Sequence, residues 1–152
     1  MEYIEGEKDE GCIFCEKPAA GDDEGNYIVH RGTTAFVILN KYPYVSGHLM
    51  VSPFRHVGRP KDLEMAERTE LMNLVTLATE VLEDAVNPGG LNVGANIGRA
   101  AGAGVEDHLH FHVLPRWERD TNFMPMVADT RVLPEGLAKT YERLKPFFDG
   151  KS

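Results

Sequence analysis

His108, His110 and His112 occupy alternate positions, with apolar Leu109, Phe111 and Val113 between and after them. Half of the chain's six histidines fall in this window. In an extended strand successive side chains point to opposite faces, so the alternation puts three imidazoles on one face and three hydrophobes on the other. The expected result is accessible chemistry on a buried support. A strand with ordinary polar residues outward shows the same alternation, but it draws those residues from Thr, Ser, Lys and Glu. Imidazole can ligate a metal, attack phosphorus or carbon, or shuttle a proton near neutral pH. The strand alone leaves all three open.

Other chemistry-bearing residues lie around it in the sequence. Cys12 and Cys15, the only cysteines, form a C-x-x-C pair. In a reducing compartment this spacing signals a metal site or a redox motif more often than a disulfide. A redox motif should follow a strand and open a helix; here the pair lies near the start of the chain, before GDDEG. The stretch Gly98 to Gly104, GRAAGAG, runs into the histidine segment. Its glycines let backbone N–H groups converge on anionic oxygens, although it matches neither the P-loop nor the dinucleotide fingerprint. Lys41 and Arg116 could neutralise a polyphosphate, and Trp117 could stack on a base or pack at an edge. His30 reads as a surface turn residue.

These residues need a scaffold, and the rest of the chain reads as one. With 152 residues, 42% of them hydrophobic, the chain has the size and composition of a single domain over 1–152, with 1–11 a flexible tail. A formal charge of -8 argues against nucleic-acid binding by diffuse electrostatics. The acidic start MEYIEGEKDEG lacks the basic and apolar regions of a secretory signal, and no apolar run reaches membrane-spanning length. The expectation is a soluble cytoplasmic protein that engages neither membrane nor nucleic acid.

Tyr27–Val29 and Ala35–Leu39 read as a strand pair about the turn-like Arg31-Gly32. Gly47–Pro53 reads as a third strand, with His48 at its start and His56 just past its end. Pro60 and Asp62 are expected to open one long helix, in which Leu71, Leu74, Val75, Ala78, Leu82 and Ala85 form an apolar stripe ended by Asn87-Pro88-Gly89-Gly90. Leu91–Ile97 reads as a strand, and a final helix runs from about Glu135 to Phe147. Strands, a long helix and further strands imply an α+β fold: an antiparallel sheet with one long helix packed on it and a C-terminal helix, the opposite face being left for ligand.

The segment HLHFHVLPR resembles the histidine triad (HIT) superfamily of nucleotide hydrolases and transferases. The resemblance runs from about Cys12 to Trp117 and includes LNKYPYVSGHLMVSPFRH. TNFMP and ADTRVLPEG look like the branch that cleaves diadenosine tetraphosphate. Carried over by position, the resemblance makes His110 the nucleophile that attacks an α-phosphorus and forms a nucleotidyl-histidine. His112 would hydrogen-bond phosphate and leaving-group oxygens, and the His108 carbonyl would receive the other N–H of His110. Asn40 matches a ribose contact; Asn96 and the loop Gly102, Ala103, Gly104 and Val105 match phosphate contacts. Cys12, Cys15, His56 and His108 match a structural zinc set of many bacterial members, a Cys₂His₂ group suited to tetrahedral Zn²⁺. The resemblance also implies an HIT-like fold, a homodimer, a small-molecule nucleotide substrate, possible as its Mg complex, and no organic cofactor. One departure is visible: many members place Gln and Ser or Thr where this chain has Ala103 and Gly104. That leaves phosphate contacts there to backbone amides.

Independently of the resemblance, an imidazole fixed by one hydrogen bond at Nδ1 presents its Nε2 lone pair outward and can attack without a separate base. Water as second acceptor would make such an enzyme a hydrolase and phosphate a phosphorylase; the branch that TNFMP and ADTRVLPEG resemble implies the phosphorylase. Competing readings are a purine-nucleotide-binding signalling module, which needs the same pocket without turnover, and a nucleoside phosphoramidate hydrolase. A metal-dependent oxygenase or hydrolase using the histidine row as ligands is a further alternative.

Overall fold

The computed structural model describes residues 11–41, 45–103, 108–118 and 136–151. Five strands, β1 (Ile28–Arg31), β2 (Ala35–Leu39), β3 (Leu49–Pro53), β4 (Gly90–Gly94) and β5 (Phe111–Arg116), form one sheet in the order β1-β2-β3-β5-β4. Every neighbouring pair is antiparallel. The helices are α1 (Ile13–Ala19), α2 (Met65–Val86) and α3 (Leu137–Lys151). This is the α+β arrangement expected.

Two cores lie on the two faces of the sheet. Ala35, Val37 and Leu39 of β2, Leu49 and Val51 of β3, and Val113 of β5 point toward α2 and α3, where they meet Leu71, Leu74, Val75, Ala78, Leu82, Leu144 and Phe148. The intervening Phe36, Ile38 and Met50 point the other way, into a smaller cluster with Phe14 and Cys12. The period-2 alternation of a strand produces this division. It also explains why β2 reads as a continuous apolar run, since both its faces are buried. Each fully buried aliphatic side chain contributes about 1.5–3 kcal/mol, so the α2 stripe anchors the sheet from one side.

Several boundaries differ from the sequence reading. Pro60–Asp62 forms a separate 3₁₀ turn, and α2 opens three residues later, at Met65. The Glu64 and Glu67 side chains form the reciprocal capping box that fixes this start, while Arg55 holds the Glu67 carboxylate at 2.7 Å. Asn87, in the left-handed region, ends α2 as expected. β3 starts at Leu49, because Gly47 turns the chain at φ +95° against Leu82 and Pro115. β4 stops at Gly94, and Gly98 to Ala103 includes a 3₁₀ turn over Arg99–Ala101. The last helix runs Leu137–Lys151, whereas Glu135 lies outside the described residues. His30 is a β1 residue and no turn: its ring stacks on Phe148 of α3 at 5.8 Å.

The element with no counterpart in the sequence reading is α1. It lies on the sheet face expected to be open for ligand and covers part of it through Phe14. Among the described residues no helix is long and apolar enough to cross a membrane.

Candidate functional site

The segment 108–110 precedes β5 and is pinned by three bonds, two to the end of β3 and one to the segment that follows it. The Leu109 N–H donates to the Val57 carbonyl at 2.7 Å. Ser52 Oγ donates to the Leu109 carbonyl at 3.0 Å, and His108 Nε2 donates to the Pro53 carbonyl at 2.8 Å. Leu109 and Val113 face the α2 core, as the alternation predicts, with Phe111 packed against it. His110 and His112 lie on the α1 side.

The expectation of an accessible row needs correction. His108 is fully buried and His110 is 7% exposed, whereas His112 is half-buried. The cause is α1, whose Phe14 ring stacks on His110 at 4.5 Å and 25°, and also approaches His108 at 5.4 Å.

His110 Nδ1 donates to the His108 carbonyl at 2.9 Å. That bond fixes the tautomer, so a neutral His110 carries its lone pair at Nε2. Burial pushes the His110 pKa below the ordinary value, against the His108 bond that raises it; His112 is lowered by burial and by His110. His112 Nδ1 lies 2.9 Å from Nε2 of a fourth histidine, His48, which is buried where the chain enters β3. Sequence reading used His48 only to mark a strand. Its partner on β5 became visible once the register paired Met50 with His112 and Leu49 with Val113.

Burial, then the neighbouring His112 and His110, hold the His48 pKa at about 4. Between about pH 4 and the ordinary 6.5, the unfolded chain protonates this group and the folded chain does not. Its effect is therefore a stability lost as pH falls from 6.5 toward 4 and constant below. Urea midpoints at about pH 7 and about pH 4.5 should show a steeper acid loss for wild type than for His48→Gln. Equal slopes would mean that His48 titrates normally in the fold.

The second group of donors adjoins the first through His108. Cys12 Sγ lies 3.2 Å from His108 Nδ1, and Cys15 Sγ lies 3.2 Å from His56 Nδ1 and 3.5 Å from His108 Nδ1. The two Nδ1 atoms are 3.2 Å apart, and all four ligand atoms lie within 4.8 Å of one another. Because His108 Nε2 donates to Pro53, its Nδ1 presents a lone pair to this cluster. Converging lone pairs and sulfurs in a buried place are what a soft cation relieves, and zinc–ligand bonds of about 2.0–2.3 Å suit such spacings. Among the described residues His56 Nε2 is buried without a hydrogen-bond partner; with Nδ1 as the ligand atom, Nε2 would carry the ring's N–H. The four residues fit a tetrahedral zinc.

Ile13 and Lys17 of α1, Ile38 and Leu39 of β2, Met50 of β3, and Asn40 and Lys41 line a cavity of about 220 Å³. Asn40 Nδ2 lies 3.4 Å from His48 Nδ1, joining the cavity to the histidines. Asn96 is exposed and lies two residues beyond Gly94, which pairs with His112. Gly102, at φ +93°, and Ala103 follow the 3₁₀ turn. Gly104, Val105, TNFMP and all of ADTRVLPEG except Gly136 lie outside the described residues. Arg116 bonds Asn92 of β4, and Trp117 is exposed.

A family model described as HIT domain matches residues 24–119. The chain belongs to the HIT domain family. This HIT chain is 42% identical over 127 residues to the AP-4-A phosphorylase of Mycobacterium tuberculosis, a match covering 84% of the chain and 65% of that relative. It is 32% identical over 118 residues to the asymmetrical bis(5'-nucleosyl)-tetraphosphatase of Schizosaccharomyces pombe, covering 77% of the chain and 64% of that enzyme. The HIT chain thus spans just under two thirds of the length of these curated relatives. A Zn-bound histidine triad family protein of Mycobacterium smegmatis shares the fold, with a TM-score of 0.73 and 19% identity over 94% of this chain and 96% of that one.

Proposed function

We propose that this protein cleaves dinucleoside polyphosphates of the diadenosine tetraphosphate type by nucleotidyl transfer through His110. The observation that carries the reading is the 2.9 Å bond from His110 Nδ1 to the His108 carbonyl, which reserves Nε2 for attack. The names of the two curated relatives support the substrate class.

In the first displacement the Nε2 lone pair forms a P–N bond to the α-phosphorus. The bridging P–O bond breaks, and its electron pair leaves with the polyphosphate. In the second, an oxygen of inorganic phosphate or water attacks the same phosphorus and the P–N pair returns to Nε2. Two easier displacements replace one hard one. His112 donates to phosphate and leaving-group oxygens, Asn40 holds the ribose at the cavity, and Asn96 with Gly102, Ala103, Gly104 and Val105 meets the phosphates, largely through backbone N–H groups.

Zinc held by Cys12, Cys15, His56 and His108 has a structural role in this reading, since a closed four-ligand set leaves no position for substrate. His108 is committed to that set and to Pro53, which counts against a catalytic metal on the histidine row. A homodimer belongs to the same reading: β4 is an edge strand with four of its five residues exposed, including Val93, and a second copy would cover it.

Incubation with diadenosine tetraphosphate should give ATP and ADP in the presence of phosphate, or ATP and AMP in water alone. Mass spectrometry of rapidly quenched protein should find AMP on His110. Absence of turnover under both conditions would remove the substrate class. The near-complete shielding of His110 favours a second reading, a nucleotide-binding module without turnover; nucleotide binding with no adduct would establish it.

A further inference from the structure

The two cysteines bracket Ile13 and Phe14, and these neighbours point to different parts of the site. Ile13, with Lys17 one turn on, lines the 220 Å³ cavity. Phe14 is 1% exposed and lies flat against His110, with centroids 4.5 Å apart and planes at 25°. The His112 ring stands against His110 from another direction, at 5.0 Å and 74°. The His110 ring is therefore held at its Nδ1 edge by a carbonyl and packed by two further rings, one on its face.

We infer that Phe14 is a positioning residue for His110, its ring holding the imidazole plane in the orientation that attack requires. The inference rests on His110 being the nucleophile. The Nε2 lone pair lies in the plane of the imidazole, so rotation about the Cβ–Cγ bond swings it out of line with the phosphorus. In-line displacement depends steeply on that alignment. The hydrogen bond to His108 fixes which edge faces back but permits rocking about its axis. A flat aromatic face opposes that rocking, and a branched aliphatic side chain does so less well. Cys12 and Cys15, one on each side of the Ile13-Phe14 pair, fix the turn that presents the ring.

Phe36 supplies a matched control. It is as deeply buried, belongs to the same small core and lies 6.5 Å from Phe14, while its own stacking partner is Phe54 at 5.1 Å. Phe14→Leu and Phe36→Leu remove comparable aromatic bulk from one cluster, so a purely structural role predicts the same consequence for both.

The experiment measures kcat, KM and the single-turnover rate of adduct formation in the full chain with diadenosine tetraphosphate. Phe14→Leu should lower kcat and the adduct rate about tenfold with KM within about twofold, a loss equivalent to about 1.4 kcal/mol. Phe36→Leu should leave kcat within about twofold despite a similar fall in thermal midpoint, and Ile13→Ala should raise KM with little change in kcat. Phe14→Tyr, which keeps the aromatic face, should recover most of the adduct rate. Equal kcat losses in Phe14→Leu and Phe36→Leu, or a wild-type adduct rate in folded Phe14→Leu, would overturn the inference. If Phe14→Leu does not fold, an adduct rate in Phe14→Tyr as low as in a folded Phe14→Met variant overturns it as well. If wild type forms no adduct, the reading of His110 fails first, an outcome distinct from these.

Discussion

Replacing His110 with Asn is expected to lower kcat by at least about 10⁴-fold and to abolish the covalent nucleotide, while nucleotide affinity changes by less than about threefold. The magnitude follows from removing the group on which both displacements run; losing a covalent nucleophile elsewhere costs about 10⁶ in kcat. Asn is the informative replacement because its side-chain amide can still donate to the His108 carbonyl that now receives Nδ1 at 2.9 Å. It offers a nearby polar group but no nucleophilic nitrogen lone pair, since the amide nitrogen is delocalised into its carbonyl. Binding should persist because the cavity walls come from Ile13, Lys17, Ile38, Leu39, Asn40, Lys41 and Met50, all of which the substitution leaves in place. Isothermal titration with AMP and quenched-flow mass spectrometry with diadenosine tetraphosphate separate the two effects. Residual activity within about a hundredfold of wild type would mean that water attacks the phosphorus directly, with the histidines acting as donors to a single displacement.

The sequence marked His110, the proposed nucleophile, more clearly than it marked that residue's surroundings. Alternation along 108–113 specifies which side chains share a face, and Leu109, Phe111 and Val113 do pack toward the α2 core. Alternation says nothing about what covers the other face. That depended on α1, seven residues with an internal Pro18 and one fully buried hydrophobe, Phe14. A helix this short carries almost no periodic signal; tertiary contacts with Phe36, Ile38 and Met50 hold it in place. His48 escaped for a related reason. Its partner His112 is 64 residues away, and only strand register brings the two together. The zinc set was reached by resemblance, and the structure places all four of its residues in one cluster. The start of α2 shows the opposite failure: Pro60 and Asp62 carry good helix-start chemistry, but the reciprocal bonds of Glu64 and Glu67 outcompete them.

Stripping the metal is expected to lower the thermal midpoint by about 10 °C or more, a shift that corresponds to roughly 3–5 kcal/mol for a chain of this size. Purified wild type should carry one zinc per chain, and Cys12→Ser and His56→Ala should carry none. The expected loss is smaller than the 10–16 kcal/mol that folds an isolated zinc finger, because the α2 face of the sheet has its own core and stays folded without the ion. The damage should be confined to the other face. Without a cation, only weak S–H···N bonds from Cys12 to His108 and from Cys15 to His56 remain, so α1 is held less firmly to His56 and His108. Amide exchange should then rise first in residues 13–19, with Ala78, Val81 and Leu82 still protected. Because α1 also supplies Ile13 and Lys17 to the cavity and Phe14 to His110, the chelated protein should bind AMP more weakly and form adduct more slowly, and both should recover on adding back zinc. A chelated protein with an unchanged midpoint and unchanged exchange in α1 would show that the thiols and imidazoles hold this corner by hydrogen bonding alone.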